Sequence, residues 1–279
     1  MMKLRIAQAL AMFALVGQAC AADTARPFLF LKTGERFATQ ETAGQTVATL
    51  TDYVGGKLGD KFEAHVMNDP TKATEFCAAK KPPMGIVTPG FYLTYAKALG
   101  MEPLLETRRQ NVAVERCVLV VSKQASDDLD ALKGKTIATT LAAEERYLVS
   151  VVLKGKLGEE VRLKPTTDVE GAVFDITDNT KNAADAVLME EAAWKVFEKD
   201  EELGPKLKAI YQSDELPRDL VVIFRPNAEG LDGTKIKTVL KAMSGDAAGK
   251  QILDSIRVEA FADVNSERLA KAQELFNAK

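Results

Sequence analysis

Histidine is almost missing from this chain. Among 279 residues there is one, His65, with three cysteines, one tryptophan and no excess of basic side chains. Each shortage removes a class of function. A single histidine and no Gly-x-Ser-x-Gly segment leave nucleophilic catalysis without its usual base or its strained serine turn. His65 falls in the strand-like FEAHVMN and reads as a strand residue rather than a base or ligand. No Cys-x-x-Cys or Cys/His cluster offers a zinc site, and no cofactor loop is visible, so an enzyme would have to work with carboxylates alone. A formal charge of −3 gives no basic surface for nucleic acid or an anionic membrane.

The one apolar run of note comes first. Lys3 and Arg5 precede Ile6–Val16, and Gly17-Gln18-Ala19-Cys20-Ala21-Ala22 follows. This is the pattern of a secretory signal over 1–22, cleaved after Ala21 or Ala22. It is too short to span a bilayer, which takes about 20 apolar residues. Cys20 invites a lipoprotein reading, but Gln18 stands where a lipidation box wants a small or apolar residue. The expected product is soluble and periplasmic. Loss of Lys3 and Arg5 takes the 37 Lys and Arg to 35 against 40 Asp and Glu, a formal charge of −5. Cys77 and Cys117 remain, and an oxidising compartment favours their pairing. Closing a loop of about 40 residues would stabilise by roughly 4 kcal/mol.

Strand-like and helix-like stretches then alternate. Arg26–Lys32 reads as a buried strand, Thr42–Leu58 as a helix with Val47, Leu50, Val54 and Leu58 on one face, and Lys61–Met67 as a second strand. Asp69 or Thr71 can cap a helix over Lys72–Lys80. The pivotal stretch is Met84–Leu99: a buried strand to Val87, then Thr88-Pro89-Gly90, then a helix opening with Phe91 and Tyr92. In an open α/β sheet, ligands bind beyond the strand ends, where the next helix presents free N–H groups. Gly90 would let another group come close to that backbone.

A second series follows the long apolar run Val112–Ser122: strand Thr136–Thr139, helix Ala142–Lys154, strand Glu160–Lys164, helix Val169–Asn182, strand Ala184–Met189 and helix Glu190–Lys199. Two extended runs in LKAIYQSDELPRDLVVIFRP bring the chain back, after which only helices are expected. The reading is α/β: a first lobe over 23–112, a second over 113–222 and a return over 223–279, each lobe a mostly parallel sheet flanked by helices. Small ligands bind in the cleft between such lobes.

This layout resembles the periplasmic solute-binding proteins of ABC importers, specifically the phosphonate/phosphate-type group with the two-crossover, two-lobed fold. The resemblance rests on VATLTDYVGGKLGD, on the helix carrying Asp69, Ala73, Glu75 and Phe76, on the Pro89-to-Tyr92 turn, on LDALKGKTIA and on SDELPRDLVVIF. It implies a hinge-closing receptor, likewise a monomer, that hands a small solute to an inner-membrane permease and needs no cofactor. The alternative expectation is a periplasmic ligand-sensing or accessory subunit with the same fold, signalling to a membrane kinase or serving a redox enzyme. Strand-end loops nominate the pocket: Thr33, Glu35, Arg36, Asp69, Thr88, Gly90, Tyr92, Thr139, Thr140, Glu144, Asp168 and Glu190. Where the group carries a Ser-Thr-Ser-Gly-like run, this chain has Thr139-Thr140-Leu141-Ala142-Ala143-Glu144-Glu145-Arg146. Two hydroxyls followed by two carboxylates suit a free dianion poorly. The expected ligand is neutral, zwitterionic, cationic or a metal species.

Overall fold

A computed structural model describes residues 25–34, 40–157 and 161–278. The expected signal peptide and two of the nominated residues, Glu35 and Arg36, lie outside the described residues. The first lobe opens with β1 (Arg26–Leu31), α1 (Gln40–Leu58), β2 (Phe62–Met67), α2 (Pro70–Lys80), β3 (Met84–Val87), α3 (Pro89–Leu99) and β4 (Met101–Arg109). Residues 110–116 cross to the second lobe. It holds β5 (Cys117–Ser122), β6 (Thr136–Thr139), α4 (Glu145–Tyr147), β7 (Arg162–Pro165), α5 (Val169–Asp178), β8 (Ala186–Glu190), α6 (Glu191–Phe197) and β9 (Leu207–Gln212). Residues 213–219 cross back, and β10 (Leu220–Phe224), α7 (Gly233–Ala242), α8 (Ala247–Ser255), β11 (Val258–Ala262) and α9 (Ser266–Asn277) complete the chain. The chain is therefore in the first sheet again by Leu220, slightly ahead of the expected return at 223.

The first sheet has the order β11-β4-β10-β3-β1-β2 and the second β7-β6-β8-β5-β9. Both are mixed rather than mostly parallel. β1 runs parallel to β2 and β3, and β6 to β7 and β8. The strands that carry the chain between lobes run the other way: β10 lies antiparallel between β3 and β4, and β5 antiparallel between β8 and β9. Alternate residues feed opposite faces. Val221 and Ile223 of β10 enter one apolar cluster, and Leu220, Val222 and Phe224 the other. In β5, Leu119 and Val121 face one side, Val118 and Val120 the other. Strands covered on both faces carry unbroken apolar runs, which is why these segments stand out in the sequence.

Several expected spans change. The run from Val112 becomes a strand only at Cys117, because 112–116 belong to the crossover. Pro103 sits inside β4, which the register accommodates with a shift opposite Val221 and Val222. β11 appears where only helices were expected, its Val258 and Phe261 buried against the first lobe. The helix expected over Ala142–Lys154 breaks into a 3-10 turn (Ala142–Glu144), α4 and a π turn (Leu148–Val152). Its last part is rich in valine, which loses χ1 freedom in a regular helix. The closing helix does not stay on the first lobe: Ala272 and Phe276 of α9 pack into a second-lobe cluster. Arg268 of α9 donates twice to the buried Glu106 of β4, at 2.7 and 2.8 Å.

Cys77 and Cys117 are free thiols, so the disulfide that the sequence left open between them is not formed. Cys77 is buried in a first-lobe cluster and Cys117 in a second-lobe cluster, so separate cores hold them. Among the described residues no helix is long and apolar enough to cross a membrane.

Candidate functional site

The C-terminal ends of β1 and β3 face the end of β6 across a cleft of about 900 Å³. Thr33 follows β1 and Thr88 follows β3, where Thr88 caps α3 by accepting from the Phe91 N–H at 3.4 Å. Pro89 occupies the first helical turn, where a missing N–H costs nothing. From the second lobe, Thr139 ends β6 and Thr140 follows it, and the 3-10 turn after them carries Glu144 inward.

Glu144 joins the lobes. Its Oε1 accepts from the Thr33 hydroxyl at 2.8 Å and from the Thr88 hydroxyl. All three residues are at most 7 % exposed. Glu144 Oε2 is buried with no hydrogen-bond partner and lies against Gly90. A Cβ at Gly90 would fall closer than 3.0 Å to that oxygen. Nearby, Gly34 (φ +73°) lets the Thr140 carbonyl approach equally closely. Burial pushes the Glu144 carboxyl above its ordinary range, against the two threonine hydroxyls, which act to lower it.

A second link crosses the cleft. Arg109, at the end of β4, donates to both oxygens of Glu190 at 2.6 and 2.7 Å, and its guanidinium also stands 3.4 Å from Glu115. Desolvation by the surrounding protein opposes charge on Glu190, which stays half exposed, yet the Arg109 bonds bring its carboxyl below the ordinary range. Burial pushes Glu115 up. Lys32 pairs with Asp219 at 2.7 Å. Arg218 donates to the carbonyls of Ala113 and Val112, at 2.6 and 3.4 Å, so one crossover segment holds the other.

The nominated residues divide. Thr33, Thr88, Thr139, Thr140, Glu144 and Glu190 line the cleft. Gly90 forms the floor beneath Glu144. Asp69 caps α2, accepting from the N–H groups of Thr71 and Lys72 at 2.8 and 3.3 Å, and Asp168 caps α5 through the Gly171 N–H at 2.9 Å. Those two carboxylates satisfy helix ends, the other common use of Asp at a strand-to-helix turn. Tyr92 packs against apolar clusters of both lobes rather than lining the cleft. The sequence reading missed Lys32, Arg109, Glu115, Arg218 and Asp219. Glu115, Arg218 and Asp219 sit in the crossovers, and a charge placed inside the extended runs that join two lobes is the signal that could have found them. Among the described residues no group of three or more His, Cys, Asp or Glu could hold a metal ion.

No curated protein sequence matches the chain. Solved structures share its fold at low identity. The Xanthomonas citri protein XAC2383 bound to chloride ion superposes with a TM-score of 0.69 at 13% identity, covering 90% of this chain and 97% of that one. A binding protein component of an ABC phosphonate transporter from Pseudomonas aeruginosa gives 0.63 at 13% identity, covering 91% and 86%. PhnD1 of Prochlorococcus marinus in complex with methylphosphonate gives 0.59 at 14% identity, covering 90% and 97%. The profile of the family described as "ABC transporter, phosphonate, periplasmic substrate-binding protein" matches residues 37–269, through both lobes and both crossovers. With two mixed sheets, two crossovers and a cleft at the strand ends, the chain belongs to that family of periplasmic substrate-binding proteins.

Proposed function

We propose that this chain is exported by its 1–22 leader, closes as a monomer on one small solute in the cleft between its lobes, and delivers that solute to an ABC permease without transforming it. The solute is neutral, zwitterionic or cationic rather than free phosphate or a simple alkylphosphonate. One observation carries the ligand class: a carboxylate of the second lobe, Glu144, already takes two first-lobe hydroxyls, those of Thr33 and Thr88, that would otherwise be free to donate to an anion. Four of the cleft cations support it. Lys32, Arg109 and Arg116 each stand within 4.0 Å of a carboxylate of the chain itself, and Arg218 is held by two backbone carbonyls. A dianion entering this site would compete with resident acids and lose much of its hydration, a cost of several kcal/mol by order of magnitude.

Native mass spectrometry of freshly purified, gently desalted protein tests the reading. A single non-covalent adduct of a small, non-phosphorylated organic solute, lost on denaturation, is the expected result. A phosphate or phosphonate adduct, or micromolar calorimetric binding of either, would overturn the ligand class.

A further inference from the structure

We propose that Glu144 is a tethered ligand: its carboxylate occupies an oxyanion seat in the first lobe, and this occupancy determines which solutes the protein refuses. The inference rests on the reading of the cleft as the solute site. The seat is built from the hydroxyls of Thr33 and Thr88, the N-terminus of the 11-residue helix α3 and the bare Cα of Gly90. Hydroxyl donors and a helix N-terminus are the elements that hold an anion in a site shut off from water.

The occupant fits the seat incompletely. Oε1 takes both hydroxyls while Oε2 is buried and unpartnered. A carboxylate left half satisfied in a buried place costs free energy, and the protein tolerates the cost at a point where its two lobes meet through a glycine. Gly90 matters on both counts. A side chain there would collide with Glu144, and it would equally exclude any other anion. The seat is thus shaped for an anionic group and filled by one that the chain supplies.

Removing the occupant should uncover the seat. Calorimetry of Glu144→Ala with methylphosphonate, inorganic phosphate and sulfate, beside the unaltered protein, reads this directly. The expected result is no heat from the unaltered protein up to millimolar anion, and binding by Glu144→Ala at least about tenfold tighter than that limit. Glu144→Gln keeps an acceptor in the seat and should stay silent. Adding Thr33→Val or Thr88→Val to Glu144→Ala should abolish the gain. Thermal unfolding and circular dichroism establish that each variant is folded. Should a folded Glu144→Ala bind none of the three anions, there is no uncovered seat and the inference fails, while the receptor reading stands on its mass-spectrometric test. Binding by Glu144→Gln equal to that of Glu144→Ala also overturns it, because charge and not occupancy would then exclude the anion. Micromolar binding by the unaltered protein overturns both the inference and the proposed ligand class.

Discussion

Oε2 of Glu144 lies against Gly90, the second residue of α3, with no atom of a side chain between the carboxylate and the helix. Gly34 and the Thr140 carbonyl repeat the arrangement a short way along the same lobe contact. The two glycines differ in what an added methyl group would strike. At Gly90 it meets the end of a side chain, which can swing away at the loss of two hydrogen bonds. At Gly34 it meets backbone, and the positive φ adds about 1–2 kcal/mol of left-handed strain. Urea unfolding should show both Gly90→Ala and Gly34→Ala destabilised by about 1–3 kcal/mol, with Gly34→Ala the worse. The opposite order would mean that the lobes do not meet through Gly34.

The raised pKa of Glu144 gives stability a definite pH dependence. Burial, its largest cause, makes the folded protein hold this proton more tightly than the unfolded chain. The contribution is therefore complete below the ordinary carboxylate range, about pH 4, and is lost as pH rises through the raised value. Glu144→Gln has no such proton. Measured across pH 4 to 8, the stability of the unaltered protein relative to Glu144→Gln should fall as pH rises. A constant difference would show that the carboxyl titrates as it does in the unfolded chain.

The pair Arg268–Glu106 holds the closing helix to the first lobe. Both side chains are at most 10 % exposed, and Glu106 also accepts from the Asn265 N–H at 3.1 Å. Arg268→Ala leaves Glu106 buried without its cation and should cost about 3–5 kcal/mol in urea unfolding. Adding Glu106→Gln should recover part of the loss. A loss below about 1 kcal/mol would place this pair among the weak surface ion pairs.

Both cysteines should behave as inert buried thiols. Burial pushes the Cys77 thiol up to about 12 and drives Cys117 further in the same direction. A thiol reagent should find neither in the native mature protein and both after denaturation without reductant. Absence of thiols in the denatured protein would restore the disulfide.

Much of the fold was legible because its strands are covered on both faces. Met84–Val87 and Leu220–Phe224 are continuous apolar runs, so their burial was evident before their partners were known. Strand direction was not: β10 runs against both neighbours because the chain re-enters the lobe through a crossover, and no residue in LVVIF encodes that. β11 was hidden because its five residues, VEAFA, bury only Val258 and Phe261. At the site, Thr88 and Gly90 could be nominated from a strand-to-helix turn, since local chemistry specifies both. Asp69, Asp168 and Glu144 were indistinguishable in sequence, each an acid at the start of a helix. Two became caps, and only the broken helix after β6 turned the third across the cleft. Arg109 and Glu190 lie 81 positions apart, and their pairing is a property of the assembled lobes.

Glu144 holds the two lobes together, and a distance between the lobes tests this most directly. Asp52 on α1 and Glu170 on α5 are exposed, one in each lobe, and Asp52→Cys with Glu170→Cys would carry spin labels while Cys77 and Cys117 stay buried. Electron–electron double resonance on solute-stripped protein should give a single narrow distance, and adding Glu144→Ala should lengthen and broaden it. A broad distribution in the unaltered protein, or one that Glu144→Ala leaves unchanged, would contradict the claim that this carboxylate bridges the cleft.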